Sequence, residues 1–178
     1  MSSYIISRAS AEEEARNLIN SEWADRGLPI NPTYIAKQVG VSVFELDLPP
    51  KVEAILKYYQ GGSTPAIFID SRTALTRNRF SVAHELGHFV LNSRLHPDGG
   101  VLETDTYYRD GNSQMGVDPV EVFANQFAAE LLMPSKFVRL LAEQNKSDLV
   151  MAADFGVSVE ALRNRLNTLN IKLETLAG

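Results

Sequence analysis

The sequence predicts an α+β fold: two helices, then three short strands, then helices to the end of the chain. Three observations carry that prediction. Apolar residues recur at helical spacing over 10–23 and 31–40; between 41 and 70 they give way to β-branched and aromatic runs broken by Pro and Gly; from 78 onward helical spacing returns.

Ser10 and Glu13 have the S-x-x-E form of a capping box, and Ala15, Leu18, Ile19 and Trp23 continue a first amphipathic helix until Gly27 and Pro29 stop it. Asn31-Pro32 reads as an N-cap with proline at the first helical position, opening a short second helix that Gly40 closes. Residues 41–47, 52–59 and 66–70 read as three strands, expected to pair antiparallel, with 65–70 at an edge. Residues 78–92 return to helix, 93–117 read as a long Gly-, Asp- and Ser-rich loop with room for one strand around Val101-Leu102 and Tyr107-Tyr108, of the kind that is usually functional or mobile, and Asp118-Pro119 opens another helix that Pro134 ends. The rest is an all-helical tail: an amphipathic stretch at 137–141, then helix, Gly156, a Ser158 cap and helix. The expected organisation is a main domain over 1–136 and a helical tail over 137–178, packed on the same domain. Gly-Val-Ser-Val occurs at 40–43 and again at 156–159, too short a match to make a repeat.

Composition narrows the chemistry. Seventeen Lys and Arg against 22 Asp and Glu give a net charge of −5, which argues against non-specific binding to nucleic acid or to an anionic membrane. The first residues lack a secretory signal, and no apolar run is long enough to span a bilayer, so a cytoplasmic location and no membrane partner are expected. There are no cysteines, which removes thiolate nucleophiles and every Cys-containing zinc site, and only three histidines. A metal here must be held by His and carboxylate.

Two of the three histidines lie in His84-Glu85-Leu86-Gly87-His88, an H-E-x-x-H motif on a predicted helix. Spacing of i, i+4 sets both imidazoles on one face, one turn apart, where both reach one ion. Glu85, about 100° further round, can approach a water on that metal without ligating the metal, which is a general-base position. Gly87 costs the helix about 1 kcal/mol relative to Ala, an expense expected where another element must pack close.

A catalytic zinc takes three protein ligands and keeps one open position. The H-E-x-x-H-x-x-G-x-x-H continuation is excluded by Leu91 and Arg94, and His96 falls in a Pro-Asp-Gly-Gly loop, so the third ligand is a carboxylate. Glu121 is the first choice because it opens the next helix. On spacing alone it fits two roles equally: ligand, or third helical position of a capping arrangement behind Asp118. Asp118, Glu103, Asp105 and Glu130 are weaker rivals, Glu130 because nine positions carry it roughly 180° around the helix. Tyr107, Tyr108 and Arg109 in the long loop, with Asn125, are candidate oxyanion or substrate contacts.

Arg77-Asn-Arg-Phe-Ser-Val-Ala-His-Glu-Leu-Gly-His-Phe-Val-Leu91, followed by Glu121-Val-Phe-Ala-Asn-Gln-Phe-Ala-Ala-Glu-Leu-Leu-Met-Pro134, resembles the paired signature of the ImmA/IrrE family of zinc metallopeptidases. The segments from Asn31 and from Ala153 resemble that family's N-terminal helix and tail, so the likeness spans roughly residues 10 to 170. It implies a zincin-like minimal metalloprotease fold holding one Zn²⁺, with His84 and His88 as histidine ligands, Glu85 as catalytic glutamate and Glu121 as third ligand. The family commonly has an acidic residue just before Ala-Asn; here it is Phe123. The resemblance also implies a protein substrate, often a helix-turn-helix repressor or antitoxin-like partner encoded nearby on a prophage or other mobile element. The rival expectation is a non-catalytic transcription regulator or partner-binding protein that retains the fold. Its best feature is the helix–Gly–helix tail, which resembles a helix-turn-helix unit. Lys146, Arg163, Arg165 and Lys172 are outnumbered there by Glu143, Asp148, Asp154, Glu160 and Glu174, so direct DNA binding is not expected.

Overall fold

The structure is a computed structural model that describes residues 4–59, 64–97 and 118–173. It is α+β, with seven helices and a three-stranded sheet among those residues. Helix α1 (Arg8–Glu22) begins three residues before the sequence suggests: Ser7 is the N-cap, and Ser10 closes the capping box from the third helical position. Both hydroxyls bond the backbone N–H opposite, so serine replaces the usual Glu in the box. Helix α2 (Pro32–Gln38) starts as expected, with Asn31 Oδ1 accepting from Tyr34 N.

Strands β1 (Ser42–Leu46), β2 (Ala54–Lys57) and β3 (Ala66–Asp70) lie in the order β1-β3-β2. The expectation of wholly antiparallel pairing is corrected here. β2 and β3 are antiparallel, with Ile55 opposite Phe68, but β1 runs parallel to β3, with Phe44 opposite Phe68. The 65–70 run is likewise no edge. Ala-Ile-Phe-Ile is the most continuously apolar of the three strands, and both of its neighbours are needed to satisfy its backbone once it is buried, so it takes the centre. Among the described residues, β1 and β2 are the outer strands.

Helix α3 (Leu75–Leu95) is longer than its apolar pattern, and twelve of its 21 residues are buried. It packs on the sheet on one side and on α4 (Pro119–Leu132) on the other, while α1 covers α4. The core between them is filled by Leu86 and Leu91 of α3, Phe123, Phe127 and Leu131 of α4, and Ile67 and Ile69 of the sheet. Burying each such side chain stabilises the fold by about 1.5–3 kcal/mol relative to exposure.

The tail consists of α5 (Ser135–Glu143), α6 (Asp148–Phe155) and α7 (Val159–Thr168). Gly156 ends α6 with φ +65°, a conformation open to glycine, and Ser158 Oγ caps α7 by accepting from Ala161 N. Two arginines join the tail to the motif helix α3 and to α4 and α1. Arg79 of α3 donates to the carbonyls of Ile30, Phe155 and Gly156, so a half-buried cation sits on the negative end of α6, and its partial burial pushes its pKa below the ordinary arginine value. Arg165 of α7, only 2% exposed, pairs with the fully buried Glu130 of α4 and reaches Glu12 Oε1 of α1 at 3.2 Å.

Candidate metal centre

The site is built where α3 and α4 cross. An ideal Cβ on Gly87 would lie 3.0 Å from Ala124 Cα, 3.1 Å from Phe127 Cδ1 and 3.3 Å from Ala124 O. Only a residue without a side chain lets the two backbones approach this closely, which explains a glycine in the middle of a buried helix. The approach puts the residues flanking Ala124 on α4 against the residues flanking Gly87 on α3.

The structure brings His84, His88 and Glu121 together. Their ligating atoms lie within 4.8 Å of one another and form a group that could hold a metal ion. His84 Nε2 is 3.0 Å from His88 Nε2, Glu121 Oε2 is 3.4 Å from His84 Nε2, and Glu121 Oε1 is 3.2 Å from His88 Nε2. Donors about 2.0–2.2 Å from a tetrahedral zinc lie roughly 3.3–3.5 Å apart, so these separations fit one such ion with little movement. The chemistry of the donors fits too: two imidazole nitrogens and one carboxylate, with no thiolate available anywhere in the chain. His84 and His88 are 2% and 4% exposed, and Glu121 keeps 30% of its side chain accessible, which leaves one side of the group open.

The ring of His84, and then that of His88, lie at hydrogen-bonding distance of the Glu121 carboxylate and, when they carry the proton between them, hold its pKa far below the usual carboxylate range. Its position also separates the two roles that spacing left open. Asp118 caps α4 through its own Oδ1, which accepts from Val120 N, while the Glu121 carboxylate lies on the histidines.

Glu85 is 1% exposed, in the same turn of α3 as His84. Glu130 lies on the far face of α4 with Arg165 and Ser135. His96 caps the C-terminus of α3, just over two turns beyond His88. Asn125 places Oδ1 3.1 Å from His84 Nδ1, against a ring of the group. Sequence reasoning grouped it with substrate contacts, although its i+4 spacing from Glu121 was the available signal that it faces the same helix. Phe80, one turn before His84, sets its ring 6.3 Å from the imidazole, another neighbour that i, i+4 spacing announces. Tyr107, Tyr108, Arg109, Glu103 and Asp105 lie outside the described residues. Among the described residues, no helix is long and apolar enough to cross a membrane.

The chain is similar to a phage protein, the uncharacterized immunity region protein 2 of Bacillus phage phi105, with 31% identity over 104 residues, 58% of this chain and 59% of the phage protein. Its fold is similar to that of a Mycobacterium tuberculosis transcriptional regulator, with a TM-score of 0.58 and 18% identity, covering 94% of this chain and 48% of that one. The chain thus spans about half to three-fifths of the length of these relatives. Residues 36–167, well over half of the chain, match a peptidase-family model described as the IrrE N-terminal-like domain. With the sheet, the paired helices α3 and α4 and nearly all of the tail inside that match, the chain belongs to the IrrE N-terminal-like family.

Proposed function

We propose that the protein is a zinc-dependent endopeptidase that cuts a protein partner in the cytoplasm, with His84, His88 and Glu121 holding the ion and Glu85 as general base. The observation that carries this reading is the convergence of His84 Nε2, His88 Nε2 and the Glu121 carboxylate beside a buried Glu85. Bound there, zinc supplies a Lewis acid that lowers the pKa of water to about 7 and polarises a peptide carbonyl. Glu85 takes the proton of the attacking water on its carboxylate and returns it to the leaving amine nitrogen as the C–N bond breaks. No side chain is acylated.

An extended target segment fits the outer edge of β2, unpaired among the described residues, rather than the central β3. Tyr58, just past β2, stacks at 6.5 Å on Phe89, the residue after His88, so this edge leads toward the motif. The relative from a phage immunity region and the regulator with a similar fold support a target that controls transcription. A helix-turn-helix repressor or antitoxin-like protein encoded nearby is the target we propose, in a prophage or toxin–antitoxin-like setting. Reading the tail as a DNA-binding unit has less support. Arg163 Nη2 is 2.6 Å from Asp148 Oδ2, and Arg165 is buried on Glu130, so both arginines of α7 are engaged within the protein.

Co-expression with the neighbouring repressor tests the proposal. Fragments are expected with the wild type and none with Glu85→Gln, which removes the base but keeps the metal ligands. Intact repressor in a stable complex with both proteins would instead identify a non-catalytic binder.

A further inference from the structure

A metal held by His84 requires that its ring be fixed. An imidazole that ligates through Nε2 must carry its proton on Nδ1, and it must be prevented from turning about its bond to Cβ. In this protein Nδ1 of His84 faces Asn125 Oδ1 at 3.1 Å, and Nε2 faces His88 and Glu121. Glu121 and Asn125 are one turn apart on α4, as His84 and His88 are on α3. One rigid helix therefore holds His84 at both nitrogens, across the close contact at Gly87.

We infer that Asn125 is a positioning residue that selects the tautomer of His84 for cation binding; the inference rests on the metal site proposed above. An amide oxygen has no proton to give, so the contact requires Nδ1–H as donor. A neutral imidazole has one N–H; with it on Nδ1, Nε2 keeps the lone pair that a cation between His84, His88 and Glu121 takes up, whereas without a cation the Glu121 carboxylate competes for that proton at Nε2. The opposite amide orientation would point an NH₂ at Nδ1, force the proton onto Nε2 and aim that proton into the donor group. The two arrangements make opposite demands on zinc, so the identity of residue 125 is predicted to act on metal affinity through the ring.

Zinc affinity is measured by competition with a chromophoric chelator for the wild type, Asn125→Leu and Asn125→Asp. Ring ¹⁵N spectra of His84 are recorded on the metal-free proteins at a pH where the imidazole is neutral. Asn125→Leu is expected to weaken zinc binding about 10–100-fold, the usual worth of such a partner, while Asn125→Asp, which keeps the acceptor, binds at least as tightly as wild type. The wild-type spectrum is expected to show the proton on Nδ1, and Asn125→Leu a mixture of tautomers. Equal affinity in all three proteins, or a wild-type proton on Nε2, overturns the inference. A wild type that takes up no zinc overturns the metal reading itself, and the ring spectrum of the same sample still decides which group Asn125 presents.

Discussion

Replacing Gly87 with alanine tests the helix crossing on which the site depends. In an isolated helix the change is favourable by about 1 kcal/mol, because alanine is the better helix former. In this protein the added methyl meets Ala124 Cα at 3.0 Å and Phe127 Cδ1 at 3.1 Å. The first contact is with backbone, which cannot rotate away, so α4 itself must shift by a few tenths of an ångström. Inserting a methyl into a packed core costs about 1–3 kcal/mol, leaving a net loss of roughly 0–2 kcal/mol after the propensity gain. For a chain of this size that lowers Tm by at most about 8 °C. The larger effect falls on the metal, because the shift carries Glu121 and Asn125 away from the histidines, and a site loosened by such an amount loses affinity about tenfold or more. Urea unfolding in chelator reads the stability term, and zinc competition reads the site term separately. Ala124→Gly is expected not to rescue the variant, since the colliding atoms Cα and O are backbone. A Gly87→Ala protein that gains about 1 kcal/mol and binds zinc as wild type does would refute the argument that this glycine is required for close approach.

Three further outcomes are expected. Removing zinc with a chelator should lower Tm, since a ligand held at 100 times its Kd stabilises the native state by about 2.7 kcal/mol; His84→Ala should abolish the difference between zinc and chelator scans, and an unchanged difference would exclude His84 as a ligand. Arg165→Met strands the buried Glu130 carboxylate and should cost about 3–5 kcal/mol by urea unfolding, most of it recovered in the Arg165→Met/Glu130→Met double variant; no recovery would mean the loss is one of packing. Hydrogen bonding from Arg163 lowers the pKa of the half-buried Asp148, so its contribution is present above the ordinary Asp value, about 3.9, and is lost as pH falls through the folded value. Asp148→Asn should therefore be slightly less stable than wild type at pH 6 and indistinguishable from it at pH 2, and a difference that persists at pH 2 would contradict the linkage.

The helices and the grouping of two histidines with a carboxylate were legible in the sequence because their signals are local. Asn31-Pro32, Asp118-Pro119 and Ser158 fix helix starts through their own side chains and φ angles, and H-E-x-x-H sets two imidazoles side by side through one turn of helix. Sheet order was not legible. Which strand takes the centre, and in which direction each neighbour runs, depends on which strand is paired along both edges, a property of the packed sheet rather than of any one run. The first cap was misplaced because Ser7 and Ser10 are both competent caps, and only the approach of the chain from Tyr4 to Ser7 selects between them. The Gly-Val-Ser-Val echo has a physical meaning that four letters could not convey. Val41 N bonds Ala36 O and Val157 N bonds Ala152 O, each across a glycine with positive φ, so both copies end a helix in the same way. Beyond that shared turn one copy enters β1 and the other enters α7, because the residues C-terminal to them differ. Phe44-Glu-Leu46 pairs with β3, whereas Ser158 has a run of helix formers behind it.

Helix α4 carries the site's dependence on the rest of the fold. Glu121 and Asn125 project from one face toward α3, and Glu130, half a turn out of phase, projects from the opposite face to Arg165, with Arg16 Nη1 3.6 Å from its Oε1. Phe123 and Phe127, fully buried, fill the core between the two faces. A helix held on both sides cannot slide along α3 without breaking either the Gly87 contact or the buried ion pair. The buried pair is a weak source of net stability, because desolvation offsets most of its attraction. Its geometric effect is stronger, since one register of α4 satisfies Glu130 and that same register places Glu121 on the histidines. The polar network at the tail end of α4 thus specifies the position of a carboxylate more than two turns away, and the tail contributes to the candidate metal centre through geometry without supplying a donor to it.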